Sequence, residues 1–75
     1  MDKLIEILTS IKSGVDYEKE TNLISGKVLN SIDIANLIAE VEGAFDIEID
    51  MEYMEDSNFE SVEAMWNMIQ EIKAE

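Results

Sequence analysis

Three stretches of this chain place apolar residues at helical spacing. In the first, Leu4, Leu8 and Ile11 share a face that Ile5 and Ile7 widen. In the second, Ile34, Leu37, Ile38 and Val41 form one stripe, which Phe45 continues. In the third, Val62, Met65, Trp66, Ile69 and Ile72 line up. Three such stripes can bury their apolar faces against one another. The expected fold is therefore all-α, one domain over residues 1–75, a small four-helix bundle with a long first loop and a short third helix.

Local signals set the expected boundaries. Asp2 is expected to cap the first helix and Ser13-Gly14 to end it. The second helix is expected from Ser31 to about Ala44, capped by Asn30. Asp33, three residues on from the cap, resembles a capping box with a shorter acid and suits the positive helix end. The last helix is expected from about Ser61 to Lys73, with Asn58 or Ser61 as its cap and Lys73 at its negative end. The short third helix is expected near Tyr53–Ser57. Residues 15–30 have no clean period and read as a long loop pinned by Leu23-Ile24 and Val28-Leu29; such loops in small domains are usually functional or conceal a misassigned element. Asp46 to Met51 alternates acidic and apolar residues, as an extended segment does. The expected core is Leu4, Leu8, Ile11, Ile34, Leu37, Ile38, Val41, Phe45, Val62, Met65, Trp66 and Ile69, with the single Trp as an anchor.

Charge narrows the partners. Eighteen acidic residues face five basic ones, for a net charge of −13. Such a chain repels nucleic acid, whose phosphates need Lys and Arg, and it repels anionic membranes. It attracts basic protein surfaces, although acidity also serves plain solubility. At 47% hydrophobic it is too apolar for a disordered acidic tail. The segment Met1-Asp2-Lys3-Leu4-Ile5-Glu6 has no uninterrupted apolar run, so neither a signal peptide nor a membrane span is expected. A cytoplasmic monomer is the expectation, in keeping with a chain that has no Cys.

Few routes to chemistry remain, because there is also no His. Hydrolysis by a serine needs a base held by a third group. Lys27 is near Ser31, but serine–lysine chemistry needs a buried lysine in a preformed pocket, which a bundle of this size can hardly build. No enzyme is expected. Asp46, Glu48 and Asp50 match the first, third and fifth places of a calcium loop, but Met51 stands where Gly is needed and Ser57 where Glu is needed. No specific metal site is expected. Ser31 is different. A hydroxyl at a helix start is exposed, and a phosphodiester on it would meet free backbone N–H groups and the positive helix end. If a separate enzyme makes the bond, the chain needs no base of its own. Serine is also common at helix starts for structural reasons alone, so both readings stand on these residues.

The surroundings of Ser31 add a resemblance. The run Leu29-Asn30-Ser31-Ile32-Asp33-Ile34 is followed by Leu37-Ile38-Ala39-Glu40-Val41-Glu42 and then Phe45-Asp46-Ile47-Glu48-Ile49. Asn58-Phe59-Glu60-Ser61-Val62 then looks like an entry into a last helix. From Leu23 to Val62 this resembles the acyl carrier and peptidyl carrier protein family, whose marker is Asp-Ser-Leu. The resemblance implies an acyl-carrier-like bundle in which Ser31, flanked by Asn30 and Ile32, bears a 4′-phosphopantetheine arm from coenzyme A. The arm's thiol would hold an acyl or aminoacyl cargo as a thioester, which also accounts for the missing Cys. The implied partners are a phosphopantetheinyl transferase and an adenylating acyl or amino-acid ligase or an acyltransferase. They would dock on the second helix and the loop before it, through basic patches facing Asp33, Glu40 and Glu42.

The departures from the family pattern have a direction. Asn30 stands where Asp is usual, Lys27 where Gly is common, and Asn36 and Gly43 where fatty-acid carriers often have Glu. Asp50 replaces a frequent Pro. They thin the acidic docking face, so the expectation is a stand-alone carrier serving one ligase or small pathway, of the kind that includes D-alanyl carriers. The alternative is a carrier-like acidic interaction subunit that is never modified.

Overall fold

A computed structural model describes residues 2–74. Among them the regular elements are all helical: α1 (Asp2–Ile11), α2 (Ser31–Phe45) and α3 (Val62–Lys73), with two single 3-10 turns at Met51–Tyr53 and Asp56–Asn58. None of these helices is long and apolar enough to cross a membrane. The described residues thus form three α-helices rather than four. The short helix expected at Tyr53–Ser57 is broken into the two turns. Neither turn has a side-chain cap. Glu52, Glu55 and Asp56 would stand three and four places apart on a continuous helix, where like charges repel. The Asn58 side-chain amide instead donates to the Tyr53 carbonyl at 2.9 Å and ties one turn to the other.

The three long helices follow their stripes. Asp2 lies inside the first turn of α1 instead of capping it. Gly14, at φ +84°, turns the chain out after α1. Ser61 is the cap of α3, its Oγ accepting the Ala64 N–H at 3.0 Å. α2 runs one residue beyond Ala44 and closes on Asp46, which takes a left-handed φ of 53° and donates its N–H to the Glu42 carbonyl.

α1 packs against both α2 and α3. Of the expected core, Leu4, Leu8, Leu37, Val41, Val62, Met65 and Ile69 are buried. Ile11, Ile34, Ile38, Phe45 and Trp66 are half-buried and pack against it from the edge. The Trp66 ring meets Phe45 edge-on, with centroids 6.0 Å apart, and Lys73 Nζ lies 5.7 Å from the Phe45 centroid. The remainder of the core comes from Ile7 and Met68 within the helices and from Tyr17, Leu23, Leu29, Ile49 and Phe59 outside them. The loop after α1 is therefore structural along much of its length. Tyr17 is buried, and its hydroxyl reaches the Lys12 carbonyl just past the end of α1 and the Leu8 carbonyl, which also accepts the Lys12 N–H at 2.8 Å. Burial pushes the Tyr17 pKa up, and the negative charge of Asp33 adds to this.

Candidate functional site

The loop into α2 is a closed turn. Leu23 is fully buried and Leu29 nearly so, and the Leu29 N–H donates to the Leu23 carbonyl at 2.9 Å. Inside this closure Gly26 donates to the Asn22 carbonyl at 2.7 Å and Lys27 to the Ile24 carbonyl at 3.0 Å. A Cβ on Gly26 would lie 2.5 Å from the Asn22 oxygen, so that close approach requires glycine. Lys27, next to it, takes a left-handed φ of 58°. The chain thus keeps the glycine for contact and lets a lysine hold the strained angle.

Asn30 follows directly and caps α2. Its Oδ1 accepts the Asp33 N–H at 2.8 Å, and Asp33 Oδ2 accepts the Asn30 N–H at 3.2 Å. The capping box expected from the sequence is complete in both directions. Ser31 is then the first residue of α2, and its side chain is exposed. The N–H groups of Ser31 and Ile32 belong to the first helical turn, which offers them no carbonyl. They lie beside the Ser31 hydroxyl at the positive end of the helix, and an anionic group on that hydroxyl fits there. Ile32 is 72% exposed, a large apolar side chain held in solvent one residue from the serine.

The residues singled out from the sequence divide into two groups. Asn30, Ser31, Ile32 and Asp33 form one constellation at the start of α2. Glu40 is exposed but lies about 13 Å further along the helix, at 1.5 Å per residue, in a groove that α2 shares with Lys3, Glu6 and Ser10 of α1. Glu42 is half-buried, and its Oε2 accepts the Ile49 N–H at 2.9 Å. That bond and the one from Ile47 N–H to the Glu42 carbonyl at 3.2 Å hold the segment after α2 extended, with Ile49 turned inward. Asp33 and Glu42 thus both carry internal structural bonds, and Glu40 is the freer charge. The exposed side of α2 also carries Ala35, Asn36, Ala39 and Gly43. Asp46, Glu48 and Asp50 line the outside of the extended segment, and no group of three or more metal-ligating side chains converges among the described residues. No family model, curated protein or solved structure matches the chain.

One residue of this region escaped the sequence reading. Glu60, just before the cap of α3, reaches back to the loop. Its Oε1 accepts the N–H groups of Ile24 and Ser25, both at 2.9 Å, and the Ser25 hydroxyl at 3.3 Å. Its own carbonyl accepts the Leu23 N–H at 2.9 Å. The Ser25 N–H bond, with the Ile24 bond behind it, holds the Glu60 carboxyl below the usual carboxylate range against a smaller opposing effect of desolvation. What it contributes to stability is complete above the ordinary glutamate pKa and is lost as pH falls through the lowered folded value. The partners are 35 and 36 residues apart, so no local period could have announced the contact.

Proposed function

We propose that this chain is a stand-alone carrier that holds an acyl or aminoacyl cargo as a thioester on a 4′-phosphopantetheine arm attached to Ser31. The observation that carries the reading is the exposed Ser31 hydroxyl at the first position of a capped helix, with the unpaired N–H groups of the first turn beside it. The fit is chemical. Asn30 occupies the Asp33 N–H, which leaves the amides of Ser31 and Ile32 for a phosphodiester. The arm, once bound, supplies the thiol that the sequence lacks.

Attachment asks only for an accessible nucleophile on this chain. Ser31 Oγ forms a bond to the phosphorus at which coenzyme A joins pantetheine to its nucleotide half, and the phosphoanhydride bond breaks. Adenosine 3′,5′-bisphosphate leaves with the electron pair, and the hydroxyl proton passes to the transferase or to water. The chain itself does no catalysis in this reading. It tethers cargo and raises its effective concentration for successive enzymes.

The exposed side of α2 supports a dedicated partner rather than a general one. Ile32 and the small side chains of Ala35, Ala39 and Gly43 dominate it, while Asp33 and Glu42 are occupied internally. A partner would approach through apolar contact at Ile32 and a single strong charge at Glu40, a narrower code than an acidic stripe. The test is intact mass after incubation with coenzyme A and a broad-specificity phosphopantetheinyl transferase. Wild type is expected to gain one phosphopantetheine unit and Ser31→Ala none. A folded wild-type chain that gains nothing would put the unmodified interaction subunit in its place.

A further inference from the structure

The loop before Ser31 hangs from Glu60. One oxygen of that side chain takes the N–H groups of Ile24 and Ser25 and shares the single proton of the Ser25 hydroxyl with Asn22 Oδ1. Successive N–H groups converging on one point form a small anion cradle, here filled by a carboxylate of the same chain. The Glu60 carbonyl adds the Leu23 N–H, the Leu23 carbonyl takes the Leu29 N–H, and Asn30 and Ser31 follow Leu29 directly. An unbroken line of hydrogen bonds thus runs from the entrance of α3 to the residue before the cap of α2.

We infer that Glu60 is the positioning residue for Ser31, fixing from the entrance of α3 the loop that presents the serine to the enzyme that modifies it. This rests on Ser31 being the attachment site. The argument is geometric. α2 fixes Ser31 relative to its own axis through the Asn30–Asp33 box, but that box says nothing about the loop on the other side of Asn30. The loop's own bonds close it on itself, Leu23 and Leu29 bury its two ends in the core, and Glu60 supplies its hydrogen bonds to the rest of the bundle. An enzyme that docks across the loop and α2 meets a competent surface only when the two are held together. A loop competent for a fraction of the time weakens apparent binding by that fraction. The chemistry at the Ser31 hydroxyl, once docked, is unchanged. Loss of the tether should therefore raise KM for this protein and spare kcat.

Two substitutions separate position from charge. Glu60→Asp keeps the charge but draws the oxygen back by one methylene. Glu60→Gln keeps the oxygen in place and removes the charge. With saturating coenzyme A, a phosphopantetheinyl transferase and varied carrier concentration, Glu60→Asp is expected to raise KM about tenfold with kcat within about twofold of wild type, as a drop in the competent fraction to about a tenth requires. Glu60→Gln keeps the acceptor in place but loses the charge that strengthens these bonds, so it is expected to raise KM by less, about threefold, with kcat again within about twofold. Hydrogen exchange should quicken at Ile24, Ser25 and Leu29 most in Glu60→Asp and less in Glu60→Gln, with the interior of α3 unchanged in both. The reverse ranking, equal loss in both variants, or wild-type KM in a Glu60→Asp chain whose loop amides have lost protection would each overturn the inference. A wild-type chain that gains no mass would overturn the carrier reading itself and with it this role, while the exchange data would still report whether the tether exists.

Discussion

Lys27 and Gly26 divide a task that one glycine usually performs. Lys27 holds φ at 58°, where a side chain costs about 1–2 kcal/mol, while Gly26 admits the Asn22 carbonyl at a distance no Cβ tolerates. The two positions therefore respond oppositely to substitution. Lys27→Gly should stabilise the protein by up to about 1 kcal/mol once the greater freedom of glycine in the unfolded chain is subtracted. Gly26→Ala should cost about 1–3 kcal/mol, because the added carbon meets backbone rather than a flexible side chain. Thermal melts resolve both, since 1 kcal/mol moves Tm by about 4–8 °C in a domain of this size. A Lys27→Gly chain that melts lower than wild type would remove the left-handed turn from this account. Asp33, Glu42 and Glu60 teach a related lesson. Each carboxylate binds backbone N–H groups, so in this very acidic chain several acids are structural.

At the level of the helices, α2 carries two opposite predictions on one element. Leu37 is buried at its centre, and Leu37→Ala should cost about 2–5 kcal/mol in denaturant melts, a large part of the stability of a small domain. Gly43 lies in the same helix, exposed, with open space where a Cβ would stand. Gly43→Ala should stabilise by about 0.5–1 kcal/mol, because nothing inside the fold requires glycine there. If Leu37→Ala were neutral, the register of α2 would be wrong. These are also the elements that the sequence made legible. Helical stripes, the Asn30–Asp33 box and the Ser61 cap are written within a few residues of one another, and the helices begin and end close to where those signals stand. The burial of Tyr17, Phe59 and Ile49 was not legible, because it depends on what the loops meet across the bundle rather than on a local period. The same holds for the site. The exposed serine and its cap could be read locally, whereas the Glu60 tether and the internal duty of Glu42 depend on contacts between separate segments. The helix expected at Tyr53–Ser57 is split into two turns, in keeping with the like charges of Glu52, Glu55 and Asp56, which would crowd one face of a continuous helix.

For the molecule as a whole, the excess of 18 acids over five bases sets the response to salt. Repulsion among exposed carboxylates works against the compact state, and added electrolyte screens it within about 10 Å at 0.1 M. The melting temperature should therefore rise from low salt to about 0.5 M sodium chloride. A fall over that range would mean that attractive pairs outweigh the repulsion.

The edge-on contact between Phe45 and Trp66 has a practical consequence of its own. The protein has a single indole, half in solvent, at the seam where the end of α2 meets α3. Ser31 lies at the opposite end of the same α2. Excited at the red edge, where the two tyrosines do not absorb, the fluorescence of the chain is thus an optical gauge of that seam, with one emitter and no label near the serine. Anything that shifts α2 as a rigid rod, whether a modification at its head or an enzyme gripping its side, can be followed as colour and brightness at its tail.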